Sequence, residues 1–303
     1  MGVKISIGTW AYTFGKYADN PISMEEAARR LSELGYDGLS LGGFKPHGHP
    51  DLYPKKKDRK RLMKLFKSYG LEVNSYAADL WGFPFAGAGD EAARKYEDAF
   101  DSSLQMCVDC KIPIIRVDTV TETPYPKDFE YERAWDDVVT MFRKITAKAK
   151  KAGILVVWEF EPGFIFNKPS EIVKLVKDVG DENFKLQVDT CHVQMCAVQG
   201  VQQYGEKEVL KGGQVEFFRM VKGMIGDIHI IDSDNSLHDN HTSTHAPFGD
   251  GVINFEEVIP AIREAGWDSE WWTIDLCFWP NAWEITEASK RYVDELFTKL
   301  GMK

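Results

Sequence analysis

The sequence predicts a closed (β/α)8 barrel. Short, β-rich apolar runs alternate with longer amphipathic stretches eight times without a break. At 303 residues the chain has the length of one such barrel. No Pro/Gly/Ser linker and no shift in composition divides it, so residues 1–303 are expected to form one domain. A strand–helix–strand order dictates parallel pairing, because each return to the sheet needs a crossover. An open doubly wound sheet would alternate too, but eight units in this length favour closure.

In chain order, the expected strands are residues 5–10, 38–42, 72–77, 114–118, 155–161, 185–189, 227–231 and 271–276. Between them lie helical stretches at 24–35, 58–70, 90–111, 131–153, 169–179, 206–224, 254–266 and 284–300. The first helix opens on Ser23-Met24-Glu25-Glu26, a serine cap followed by acids in the first turn. Gly35, Gly70, Gly153 and Gly266 stand where helices should close. The longest loops, 43–54, 78–89 and 233–252, all follow strands. That is the face on which barrels carry their active sites.

Hydrophobic content of 44% and charged content of 28% fit a soluble globular protein with a large core. The densest basic run, Lys55-Lys56-Lys57-Asp58-Arg59-Lys60-Arg61, reads as a solvated helix face. A net charge of −10 without a basic groove argues against gripping a phosphate backbone. Met1 runs straight toward a strand, with no signal peptide and no apolar run of membrane-spanning length. The five cysteines, Cys107, Cys110, Cys191, Cys196 and Cys277, are odd in number and suggest no disulfide framework. Reduced thiols in a cytoplasm are therefore expected. Cys107 and Cys110 form a C-x-x-C inside a helical stretch and read as ordinary helix residues.

Polar residues at the carboxyl ends of barrel strands point at the site, and four such ends fall in succession. Strand five ends in Trp158-Glu159-Phe160-Glu161-Pro162, and strand six in Val188-Asp189-Thr190-Cys191-His192. Strand seven carries Ile228-His229-Ile230-Ile231-Asp232, and strand eight ends in Thr273-Ile274-Asp275-Leu276. Each residue alone has a plain structural reading, as a helix cap, a core histidine or a surface acid. Asp232 reads equally as a loop-orienting cap. Together the glutamate, two aspartates and histidine form a mixed nitrogen and oxygen set for one divalent cation. Manganese or magnesium suits the oxygen-rich ligation, while the imidazole admits cobalt, zinc or iron. A buried cluster of carboxylates without a cation would cost several kcal/mol.

At these residues the sequence resembles the sugar phosphate isomerase/epimerase superfamily, the xylose isomerase-like barrels. The likeness covers essentially the whole chain. It is sharpest at Glu159-Phe160-Glu161-Pro162-Gly163-Phe164, Val188-Asp189-Thr190-Cys191-His192, His229-Ile230-Ile231-Asp232 and Pro247-Phe248-Gly249-Asp250-Gly251. The resemblance implies Glu159, Asp189, His229 and Asp275 as metal ligands, with manganese the expected ion. Asp275 stands where many relatives have glutamate, so this ligand reaches less far. Glu159 and Glu161 are two apart and share a face. The spacing to Pro162-Gly163 matches the family with Glu159 as ligand, which leaves Glu161 to touch substrate or act as a base. His192 matches a family histidine that contacts substrate.

His238, His241 and His245 share the long loop after strand seven. Glu161, His192 and His245 are the candidate acids and bases. Trp10, Tyr12, Tyr76, Trp81 and Trp279, with the strand-four pair Arg116 and Asp118, are the candidate substrate contacts. Arg116 and Asp118 read equally as a structural ion pair, and so many rim aromatics suit a flat apolar substrate part or a second protein.

The resemblance implies removal of a proton from carbon beside a sugar ketone. It extends to the catalytic subunit of C-glycoside deglycosidases, which cleave 3-oxo-C-glucosides of aromatic aglycones and pair with a smaller β-sandwich subunit. Such a lyase is the first expectation. Ketose 3-epimerase or sugar isomerase is the alternative, followed by an inosose-type dehydratase. A homo-oligomer is the other assembly expected. A non-catalytic sugar-binding barrel is the bland reading, and the net charge opposes an endonuclease IV-like role.

Overall fold

The computed structural model describes residues 2–303. Eight parallel strands form a nearly closed barrel, in the order β1, β10, β7, β6, β5, β4, β3, β2. They are β1 (Lys4–Ile7), β2 (Gly38–Gly42), β3 (Glu72–Ala77), β4 (Ile114–Val117), β5 (Leu155–Glu159), β6 (Phe184–Asp189), β7 (Ile225–Ile230) and β10 (Trp271–Ile274). β1 and β2 meet at a single parallel bridge, Gly8 to Ser40, which joins the ends of the sheet. The other two strands, β8 (Asp232–His238) and β9 (Thr242–Ala246), form an antiparallel hairpin.

The helices α1 (Met24–Glu33), α2 (Lys56–Ser68), α3 (Asp90–Cys110), α4 (Tyr131–Lys151) and α5 (Pro169–Val179) follow the first five strands. After β6 comes a short α6 (Thr190–Val193) continued by a wider π turn, then α7 (Gly213–Met220), α8 (Phe255–Glu264) and α9 (Ala282–Lys299). Their apolar stripes face the sheet: Leu31, Phe66, Phe100, Phe142, Leu175 and Phe297 are all fully buried. Burial of each such side chain contributes roughly 1.5–3 kcal/mol. Ser23 caps α1 by accepting from the Glu26 N–H at 3.2 Å. Gly35, Gly70, Gly153 and Gly266 follow the ends of α1, α2, α4 and α8 with positive φ, as expected of helix-closing positions. All five cysteines are buried and unpaired among the described residues. No described helix is long and apolar enough to cross a membrane.

The elements depart from the sequence reading at three places. Strands one, four, five, seven and eight end one to three residues early. After β1 the chain coils into a 3-10 turn, Thr9–Tyr12, that swings Trp10 above the barrel. The helix expected at 206–224 is confined to Gly213–Met220, because Gly213 takes φ +63 and breaks the turn ahead of it. The third departure is the segment 233–252, read as a loop, most of which is the β8–β9 hairpin. Asp239 and Asn240 form its turn, both with positive φ.

Asp232 anchors this hairpin. Its Oδ1 accepts from the Ser233 N–H at 2.9 Å and the Ile253 N–H at 3.0 Å. Its Oδ2 accepts from the Gly249 N–H at 3.0 Å and the Gly251 N–H at 3.2 Å. The Pro247–Gly251 turn thus wraps a buried carboxylate, and a Cβ at Gly251 would lie 2.2 Å from Asp232 Oδ1. Asp232→Ala strands four backbone donors and should lower the unfolding free energy by about 3 kcal/mol or more. Asp232→Asn, with one acceptor oxygen, should recover only part. Urea denaturation midpoints test this, and an unchanged midpoint in the alanine variant would sink the assignment.

Candidate metal centre

Sheet register brings the four expected ligands together. Asp189 lies directly opposite His229 across β6 and β7. His229 lies opposite Thr273 across β7 and β10, so Asp275 follows two residues further on the same face. Glu159, at the end of β5, lies opposite Gln187, two residues before Asp189. Beneath this layer the barrel is filled by small hydrogen-bonded polar side chains. Ser6 and Thr273 hydroxyls are 2.9 Å apart, Asn74 donates to Thr273 at 3.1 Å, and Ser75 donates to Ser40 at 2.8 Å.

The three carboxylates divide their oxygens in the same way. Glu159 Oε2 lies 3.1 Å from Arg116 Nε, and Oε1 has no hydrogen-bond partner. Asp189 Oδ1 accepts from the N–H groups of Cys191 at 2.7 Å and His192 at 3.1 Å, capping α6. Its Oδ2 has no partner. Asp275 Oδ1 accepts from Trp10 Nε1 at 2.9 Å and the Cys277 N–H at 2.8 Å. Its Oδ2 lies 3.1 Å from His229 Nδ1, which is also 3.6 Å from Glu159 Oε1. In each carboxylate one oxygen is held by a donor outside the cluster, while the other is without a partner in Glu159 and Asp189 and is bonded to His229 in Asp275.

The electrostatics carry the same signature. Burial raises the pKa of Glu159, and that of Asp189 further still, helped by Asp275 and Glu159. Burial opposes a charge on His229, yet the Asp275 hydrogen bond and the Glu159 charge hold its pKa at about 9. Asp275 is held below the ordinary carboxylate range, against burial, by His245 and His229. Glu159, Asp189 and His229 offer ligand atoms within 4.8 Å of one another. Orphaned buried oxygens beside one imidazole fit a divalent cation, whose charge offsets the desolvation of the carboxylates. The donor set is hard and oxygen-rich, with one nitrogen.

Glu161, His192 and His245 line the same crevice as Glu159 and Asp275. Glu161 is buried and accepts a hydrogen bond from Thr242 Oγ1. Burial, then the charge of Asp118, pushes its pKa up to about 8. His192 Nδ1 lies 2.9 Å from Ser243 Oγ, and His245 Nε2 lies 3.9 Å from Asp189 Oδ2. Burial lowers the pKa of both histidines.

The expected substrate contacts separate into two groups. Trp10 stacks on His229 with centroids 5.4 Å apart. Trp81 roofs the crevice, stacking on Phe14 and donating to Asp118 Oδ2 at 3.3 Å. Arg116 holds Asp118 through two hydrogen bonds, 3.1 and 2.6 Å, and reaches Glu159. The Arg116–Asp118 pair is thus an internal clamp on a ligand, although Arg116 also lines the crevice. Tyr12, Tyr76 and Trp279 lie elsewhere, correcting the sequence reading. Tyr12 turns outward, its hydroxyl 2.9 Å from Thr286 on α9. The Tyr76 hydroxyl donates to the Gly48 carbonyl at 2.9 Å, filling the space beside Gly43. Trp279 lines an outer groove with Phe248 and Tyr292.

Sequence reasoning missed Thr242 and Ser243, which the hairpin brings to Glu161 and His192. The signal was the β-branched alternation around the Asp239-Asn240 turn. It also missed Phe14, Phe44 and Phe164 as rim residues. The crevice over the carboxylates holds only about 20 Å³ beneath Phe14, Phe44, Trp81 and Phe278. Beyond Glu161 it adjoins an outer cavity of about 180 Å³ walled by Trp81, Phe164, His238, His241 and Phe278.

Comparison with known proteins agrees with the barrel fold. The fructoselysine 3-epimerase of Shigella flexneri is 22% identical over 254 residues, 82% of this chain and 83% of that protein. The crystal structure of a D-tagatose 3-epimerase-like protein superposes with a TM-score of 0.74 at 18% identity, covering 98% of this chain and 100% of the other. The IolI protein, solved with a zinc atom bound, gives a TM-score of 0.70 at 14% identity, covering 98% and 97%. These two structures share the fold. The sequence model of the family described as "Xylose isomerase-like TIM barrel" matches residues 28–293. With that match over most of its length, the chain belongs to the xylose isomerase-like TIM barrel family.

Proposed function

We propose that this protein is a divalent-metal-dependent enzyme that moves a proton on the carbon beside a sugar ketone. The observation that carries the reading is the division of labour among the carboxylates. Glu159 and Asp189 each keep one oxygen without a partner close to His229, Asp275 bonds that imidazole, and a fourth carboxyl, Glu161, stands apart in the same crevice. A divalent cation held by these four ligands supplies Lewis acidity, polarising the ketone and acidifying the neighbouring C–H.

The chain's own residues do the rest. Thr242 holds Glu161 Oε2, leaving Oε1 to take the proton from carbon and to return it. Ser243 holds His192 by Nδ1, so that Nε2 faces the crevice to bind a hydroxyl. The aromatic roof excludes water, which strengthens each of these interactions. Glu161 returning the proton to the neighbouring carbon gives an isomer, whereas an epimer needs a proton delivered to the opposite face of the same carbon by a second group, for which His192 and His245 are the candidates. The names of the relatives, a fructoselysine 3-epimerase and a D-tagatose 3-epimerase-like protein, support this outcome first.

The second reading is a carbon–carbon lyase acting on 3-oxo-C-glucosides of aromatic aglycones. The aromatic outer cavity beside Glu161 favours it, because an aryl group fits there while its sugar occupies the crevice. Loss of the aryl carbon then requires a proton from His192 or His245.

Three outcomes follow from this site. Glu159→Gln should lose manganese, whereas Glu161→Gln should keep it and lose turnover by about 10²-fold or more. Metal analysis paired with kinetics reads both, and a reversed result swaps the two roles. Metal affinity should rise with pH, because burial holds protons on Glu159 and Asp189 that the cation must displace. Calorimetric titration in buffers of different ionisation enthalpy should show proton release, and a pH-independent affinity contradicts the ligand set. Incubation with a ketohexose, an inosose and a 3-oxo-C-glucoside, each with manganese, ranks the reactions. Epimerised ketohexose supports the first reading. Aglycone release, tested with and without a smaller partner subunit, supports the second. Turnover of ketones lacking any α-hydrogen would refute both.

A further inference from the structure

We propose that this end of the barrel holds a second divalent cation, of zinc-like softness, on His245, Asp275 and Cys277. The proposal rests on the first metal site, whose ligand Asp275 would bridge the two ions. One imidazole nitrogen, one carboxylate oxygen and the thiol sulfur of these residues lie within 4.8 Å of one another. Zinc–nitrogen and zinc–sulfur bonds of about 2.0 and 2.3 Å are reached from there by small side-chain shifts.

Two further observations point to a ligand. His245 is only 2% exposed, and neither of its ring nitrogens has a hydrogen-bond partner. A buried imidazole without partners is costly, and it faces the mouth of the barrel beside Asp189 and His192. The second observation is charge. Asp118, Glu159, Glu161, Asp189 and Asp275 are all buried at this end, with Arg116 the one guanidinium among them. Ionised together, the five carboxylates less the Arg116 charge leave an excess of four negative charges, which one dication halves; a second takes up the rest, and with the Cys277 thiolate the cluster is left one charge negative. Asp227, buried one layer deeper, only adds to the excess.

The chain presents the thiol in register. Cys277 follows Asp275 by two residues, and its N–H donates to Asp275 Oδ1 at 2.8 Å, which ties both to one turn. On binding, the Cys277 thiol gives its proton to solvent and the thiolate sulfur becomes the third ligand. Nitrogen, oxygen and sulfur donors together favour zinc or cobalt over magnesium. The neighbouring triad of Asp189, His192 and His245 shares the imidazole but lacks the sulfur.

The test uses the whole protein dialysed against Co²⁺ and desalted, with bound metal counted and the absorption spectrum recorded. The wild type should carry about two equivalents and show thiolate-to-cobalt charge-transfer absorption in the near ultraviolet. Cys277→Ser should lose that band, and His245→Ala should fall to one equivalent. The wild-type spectrum alone keeps the proposal testable if a variant misfolds. One equivalent without the band overturns the second site and leaves the first standing. No bound metal overturns both. Two equivalents without the band, with the second lost in His192→Ala, assigns the ion to the sulfur-free triad and overturns the proposal.

Discussion

Negative charge buried at the barrel mouth is the constraint from which the rest of the site follows. Glu159, Asp189 and Asp275 are almost without solvent exposure, and each would be expensive to ionise alone. The fold does not neutralise them with lysines. It pins one oxygen of each with a different donor: a guanidinium for Glu159, a helix N-terminus for Asp189, an indole and a peptide N–H for Asp275. Glu159 Oε1 and Asp189 Oδ2 are left without partners close to His229, an arrangement that fits a cation. Arg116 shows the economy of the arrangement, since one buried guanidinium serves both Asp118 and Glu159.

The hairpin after β7 is the second organising element, and it answers to the same constraint. Asp232 folds four backbone N–H groups around itself and so sets where β8 and β9 leave the barrel. That path delivers Thr242 to Glu161, Ser243 to His192 and His245 to Asp189. Each neutral donor or imidazole lands on a group whose ionisation the cavity would otherwise leave unsupported. A carboxylate that is not itself part of the centre thus determines the hydrogen bonding of three residues that are.

Much of this was legible in the sequence. The alternation of strand and helix periods pointed to the eight barrel strands, and the strand ends to a cluster of acids and a histidine; period two puts Glu159 and Glu161 on one face, so the choice of Glu159 with Asp189, His229 and Asp275 came from the family resemblance. Asp189 caps α6 with Oδ1, and its Oδ2 has no partner, so the cap reading accounts for only one of its two oxygens. What could not be read was direction beyond the strands. Tyr12 lies on a 3-10 turn and Tyr76 on a strand whose neighbour β2 shifts register between Leu39 and Ser40. Side-chain alternation counted along the sequence therefore fails at both. The hairpin was hidden by its polar composition, since strands lying over a site need not carry the apolar alternation that a core demands.

The roof brings the site's dynamics into the same frame. A crevice of about 20 Å³ has room for about one water, so the stacked rings leave little open space above the carboxylates. Phe14, Trp81 and Phe278 stack nearly parallel, with His238 on the far side of Phe278 at 4.4 Å. Phe278 takes φ +60, a left-handed conformation that costs a bulky residue about 1–2 kcal/mol. It sits three residues after Asp275, on the turn that Cys277 ties to that carboxylate. The ring that closes the crevice and the oxygen that faces His229 therefore belong to one short segment. A shift of that segment would therefore move the roof ring and Asp275 together.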